Sequence, residues 1–85
     1  MTVPGPLATM GETARRTQRA GFDGMLLTEG GRTVYPAVTA AALAEPALEY
    51  STGVAVAFPR SPMVTAQAAW ELQELTAGRF RLGLG

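Results

Sequence analysis

Apolar and polar positions along the chain fall into short blocks whose spacing changes from block to block. Thr9 and Glu12, three residues apart, form a capping-box pair ahead of a helix over about 10–20, with Gly21 as its left-handed stop. Its apolar stripe (Met10, Ala14, Ala20) is thin, and Gly11 lowers its helix propensity. Met25 to Leu27 is an unbroken apolar run between Gly24 and polar Thr28 and Glu29, the length and setting of a buried strand. Val34 to Ala44 is alanine-rich and helical, with Pro36 tolerated in the first turn and Pro46 beyond its end.

From Glu49 to Ala57 the residues are β-branched or small, with Thr52, Val54 and Val56 alternating against Gly53, Ala55 and Ala57, which predicts a strand. Ser61 followed by Pro62 is an N-cap with proline at the first helical position, and Gly78 is the matching stop. Along that helix Val64, Ala68, Leu72 and Leu75 share a face with Ala69 beside them, while Gln67, Glu71 and Glu74 take the other. Trp70 lies between the two faces; core packing is the simpler role for it, a groove between helices or a subunit interface the other. Phe80 to Leu84 completes the pattern as a strand with Phe80, Leu82 and Leu84 on one side, and Met1 to Val3 is the vestige of an earlier one.

Helix and strand therefore alternate with short connections, the signature of right-handed βαβ crossovers and an α/β fold with a parallel sheet. Such units belong either to a doubly wound sheet or to part of a (β/α)8 barrel, of which 85 residues would be about the first third. In both, sites form at the C-terminal ends of the strands. Here that edge holds Thr28 to Arg32, Phe58 to Arg60 and Gly85. A doubly wound nucleotide-binding sheet ranks last, because no strand leads into a glycine-rich phosphate loop.

Composition narrows the chemistry. The chain has no His and no Cys, and its seven basic residues are all Arg. A Ser-His-Asp triad, a thiolate nucleophile, a zinc cluster and a lysine Schiff base are thereby excluded, so redox or group-transfer chemistry would sit on a bound cofactor. Seven acidic side chains balance the seven basic ones, so no global field recruits nucleic acid or an acidic membrane surface. The first residues carry neither a signal sequence nor an anchor, which points to the cytoplasm.

The stretches "GFDGMLLTE" and "STGVAVAFPRSPMVTAQAAWELQELTAGRFRLGLG", with the spacing between them, resemble the N-terminal third of the luciferase-like monooxygenase superfamily. The nearest branch is its coenzyme F420-dependent oxidoreductases, and the ending "GRFRLG" is close to that of the luciferases themselves. The similarity runs from about Thr9 to Gly85. It implies a single partial (β/α)8 domain over residues 1–85, truncated after the fourth barrel strand. It also implies an FMN or F420 cofactor at the strand ends, hydride transfer or oxygen activation, and a small-molecule substrate.

In such relatives a non-proline cis peptide often lies beneath the ring; matched to this sequence it joins Gly53 and Val54. The matching places Thr28 and Glu29 beside the ring or substrate, and Gly85 near the cofactor's phosphate-bearing side chain. Many relatives have a His after the second strand, where this chain has Gly30, Gly31 and Arg32. Arg32 either binds an anionic group in its place or is solvated, and Arg60 is in the same position. Glu29 is either a general acid or base or a carboxylate that caps the next helix or pairs with an arginine.

Two functions of different class follow. The first is an N-terminal portion of a flavin- or F420-dependent oxidoreductase, inactive alone. The second is a non-catalytic assembly module that forms a homodimer through its second and third helices, where luciferase-like relatives often make their dimer contact.

Overall fold

The computed structural model describes residues 1–85, with the order α1 (Leu7–Arg19), β1 (Gly24–Leu27), α2 (Val34–Ala44), β2 (Glu49–Thr52), α3 (Pro62–Leu75) and β3 (Phe80–Arg81). All pairings are parallel, in the spatial order β1-β2-β3, and Leu26, Ser51 and Arg81 share one level of the ladder. Thr2 adds a further parallel rung outside β1, its N–H donating to the Leu26 carbonyl. The opening residues thus add one isolated bridge beside β1, held by two hydrogen bonds. This is the βαβ architecture of the opening part of a (β/α)8 barrel.

The core lies between the sheet and its helices. Met25 and Leu27 of β1, Tyr50 of β2 and Phe80 of β3 point to the helical side, where they meet Met10, Ala14, Val38, Ala41 and Leu72. The Tyr50 hydroxyl donates to the Ala41 carbonyl, tying β2 to the end of α2, and burial pushes this phenol up to about 12. Gly11, a poor helix former, has a packing reason: a Cβ there would come within 2.9 Å of the Ala44 Cβ, so its absence lets α1 and α2 approach.

Three expectations need correction. The capping box does not form: α1 begins at Leu7 after Pro6, so Thr9 is already inside the first turn and its hydroxyl donates back to the Pro6 carbonyl. Glu12 instead reaches along the helix to Arg15 and Arg19. The expected face of α3 packs inward through Leu72, with Ala68, Ala69 and Leu75 against the core, but Val64 at its start is exposed, and Thr65 and Thr76, just beyond the helix, are buried instead. Thr76 is tolerated there because its hydroxyl donates to the Leu72 carbonyl. Trp70 is 72% exposed and takes no part in the core.

The strand expected over Glu49 to Ala57 is regular only to Thr52. There the Thr52 hydroxyl enters the ladder, donating to the Gly83 carbonyl and accepting from the Gly83 N–H, and pairing resumes as a single bridge between Ala55 and Leu84. The peptide between Gly53 and Val54 is cis. Inward positions change phase across it: Tyr50 and Thr52 are buried before it, Ala55 after it. Ser61 caps α3 as expected, accepting from the Val64 N–H, and Gly78 turns the chain at φ 85°.

Candidate functional site at the C-terminal strand edge

The C-terminal ends of β1 and β2 open on a hollow of about 410 Å³, lined by the loops leading into α2 and α3. Glu29 stands at its base with a side chain only 11% exposed, and Arg60 faces it at 16%. The two meet in a bidentate pair, Arg60 Nη1 at 2.9 Å from Oε1 and Nη2 at 2.5 Å from Oε2. Each carboxylate oxygen also accepts one backbone N–H, from Val56 on Oε1 and from Val34 on Oε2, both at 2.8 Å.

Val34 is the first residue of α2, so Glu29 satisfies one of the free amides at that helix start and places negative charge at the positive end of its dipole. Arg60 Nη1 further donates to the Val56 carbonyl at 2.8 Å, and its guanidinium stacks over the Tyr35 ring, 4.7 Å from the centroid. Glu29 and Arg60 together therefore hold both backbone polar groups of Val56, two residues after Val54.

Four donors on one carboxylate favour its charged form. The Arg60 hydrogen bonds, with the two backbone N–H groups and the Arg60 charge, hold Glu29 at about 2 against the partial burial that opposes them. The same carboxylate pushes Arg60 still higher than usual. Of the roles open to Glu29, the geometry realises capping and arginine pairing. A carboxyl held at about 2 has no proton to donate near neutral pH, which does not suit the general acid–base role. Arg60 meets an anion, but it is Glu29 of its own chain rather than a ligand.

The other expected residues divide into two groups. Arg32 is exposed on the rim of the hollow and forms no ion pair within the chain. Thr28 is half-buried, its N–H spent on the Thr2 carbonyl, and strand alternation puts it on the same side as Leu26. Gly53, Val54 and Gly85 come together on the sheet face away from the helices. A Cβ on Gly53 would stand 2.7 Å from Leu26 Cδ1, and one on Gly85 would stand 2.7 Å from Val54 Cγ2. Gly85 is held there by Ala55 and Ala57, its N–H donating to Ala55 and its carbonyl accepting from Ala57. Val54 is left 44% exposed between these glycines.

Tyr35 and Val56 went unnoticed in the sequence. The only trace of Tyr35 was an aromatic in the first turn of a helix whose loop faces an arginine, and that of Val56 is a backbone role with no residue signature.

A model of the family described as luciferase-like monooxygenase matches residues 1–85. An uncharacterized protein of Mycobacterium tuberculosis is 38% identical over 84 residues, covering 99% of this chain and 25% of its own. One from Mycobacterium bovis matches equally. A 5,10-methylenetetrahydromethanopterin reductase of Methanolobus tindarius is 30% identical over 82 residues, again 25% of that protein. The chain thus spans about a quarter of the length of these relatives.

Proposed function

Because the chain belongs to the luciferase-like monooxygenase family, a family of oxidoreductases, we propose that it contributes the strand-end floor of a flavin or F420 site, with the ring over Gly53 and Val54. One observation carries this reading: the half-exposed, apolar Val54 sits between glycines at the C-terminal edge, on the face the helices leave bare. That surface fits a flat ring, because Gly53 and Gly85 bring backbone to the surface on either side of an apolar contact. The group is coenzyme F420 or FMN, as the family resemblance implies. When bound, such a group supplies hydride transfer or, with oxygen, activation of oxygen.

The chain's own residues then orient rather than react. Glu29 and Arg60 fix Val56 by both its polar groups and so hold the segment that carries Val54. Thr28, on the face of Leu26, borders the ring or its substrate. Arg32, the unpaired cation at the rim, is the anion-binding residue for an acidic part of substrate or cofactor. No other cation of the chain lines that hollow free of an internal partner.

With one rim arginine to hold a phosphate-bearing tail, the isolated chain binds cofactor weakly. Fluorescence titration with FMN and with F420 tests this, weak or no binding being expected; saturable submicromolar binding contradicts the proposed division of labour. A second reading, homodimerisation through α2 and α3, is favoured by the exposed Trp70 and the exposed Leu43 on these helices. Trp70→Glu converting a dimer to a monomer in sedimentation supports it, and an unchanged mass removes it.

A further inference from the structure

The first turn of α2 brings a further side chain to the strand-end site. Val34, its first residue, gives its N–H to Glu29 Oε2, and Tyr35, its second, lays its ring under the Arg60 guanidinium, 4.7 Å from the centroid. Tyr35 is 8% exposed and its hydroxyl makes no hydrogen bond, so what it offers Arg60 is the face of the ring. A guanidinium donates only in its plane, and its faces are suited to stacking on an aromatic. Here the in-plane donors go to both Glu29 oxygens and the Val56 carbonyl, and one face goes to Tyr35.

These contacts close on themselves. Glu29, two residues beyond β1, binds the start of α2; the next residue of α2 supports Arg60; and Arg60 returns to Glu29. Arg60 also closes the turn after the bridge at Ala55, its N–H donating to the Ala57 carbonyl at 3.3 Å. The Tyr35 ring thereby sets the plane in which the guanidinium meets both Glu29 and Val56.

The backbone around Val56 shows why that plane matters. On the β3 side Ala55 is held by main chain, its N–H donating to the Gly83 carbonyl and its carbonyl accepting from the Gly85 N–H. On the β1 side the last such bond runs from the Gly53 N–H to the Leu27 carbonyl. Past it, the Val56 N–H and carbonyl meet side chains instead, Glu29 and Arg60. The segment from Gly53 to Val56 is therefore gripped by a strand on one side and, on the other, by an ion pair that rests on Tyr35.

We propose that Tyr35 is a positioning residue of the strand-end site: its ring orients the Arg60 guanidinium, and through Arg60 and Val56 it keeps Gly53 and Val54 as a fixed floor. The floor's role as a ring site rests on the function proposed above; the contacts that hold the floor do not.

NMR on the chain with 15N-labelled arginine tests this, with FMN as the probe ligand. In the wild type the Arg60 guanidinium protons are expected as separate signals, moved upfield by the ring beneath them. Tyr35→Leu keeps an apolar side chain and removes the ring. It is expected to merge those signals by rotation, to shift the Val54 and Val56 amides, and to raise the FMN dissociation constant about two- to fivefold, the worth of one cation–π contact. Tyr35→Phe is expected to restore all three, because the hydroxyl has no partner to lose. Arg60→Lys, which keeps the charge and loses the planar fork while the Tyr35 ring stays in place, is expected to shift the same two amides by an independent route. Unmoved amides at Tyr50 and Phe80 show that the core is intact in each variant. Arg60 protons with no upfield displacement in the wild type, or Val54 and Val56 amides that respond no more to Tyr35→Leu than to Tyr35→Phe, overturn the proposal. If the guanidinium and amide responses appear while FMN leaves Gly53 and Val54 unmoved in the wild type, the positioning stands and the ring site fails.

Discussion

Replacing Glu29 by Gln keeps the size of the side chain and removes its charge. In the native protein this carboxylate accepts from Arg60 twice and from the N–H groups of Val34 and Val56. An amide offers one oxygen, so its NH2 must face donors, and Arg60 is left 16% exposed without a counter-ion. Breaking a buried ion pair costs about 3–5 kcal/mol, and residual exposure brings the expectation here to about 2–3 kcal/mol. The pH dependence gives the sharper signature. Glu29 is depressed from 4.5 to about 2, so its contribution is fully present above 4.5 and is lost as pH falls through about 2. That interval is worth at most about 3 kcal/mol, of the same size as the mutational cost. Urea unfolding of the wild type and Glu29→Gln at neutral pH and in steps toward pH 2 reads both. The gap between the two proteins should be about 2–3 kcal/mol at neutral pH and shrink steadily below pH 4.5. A gap that stays constant over this range, or one below about 0.5 kcal/mol at neutral pH, refutes the assignment of the pair as the clamp between the two loops.

Other perturbations read neighbouring parts of the fold. Gly83→Ala would set a Cβ 2.2 Å from the Thr52 carbonyl oxygen, a backbone atom that cannot swing away, and should cost at least about 2 kcal/mol in thermal or urea unfolding. Thr52→Val removes the hydroxyl that both donates to and accepts from Gly83, and should cost about 1–3 kcal/mol in the same measurement. Tyr35→Phe keeps the ring under Arg60 and deletes a buried hydroxyl that has no hydrogen-bond partner; unfolding should show no loss, or a gain of up to about 1 kcal/mol.

Much of the fold was legible because it is written in local chemistry. Ser61 and Pro62 mark the start of α3, Gly78 marks the turn after it, and the apolar run Met25 to Leu27 marks β1. What escaped was set by contacts distant in sequence. The capping-box pattern Thr9-Glu12 lost to a start after Pro6, since prolines fix the approach one turn earlier. Val64 and Thr65 lie about 100° apart on the helix, at the two borders of the inward face, and only docking against the sheet decides which is buried. At the site, Glu29 and Arg60 were both singled out, but their pairing across 31 residues follows from two strands lying side by side, which no local pattern encodes. The proposed floor at Gly53 and Val54 was reached through resemblance alone.

The most direct test of the account asks where a cofactor touches the chain. In an NMR titration with F420, or with FMN, carried to millimolar concentration, the account predicts weak binding with amide shifts concentrated at Thr28, Gly53, Val54, Val56 and Gly85. Shifts concentrated instead on the exposed faces of α2 and α3 around Leu43 and Trp70, with the strand ends unmoved, would contradict it.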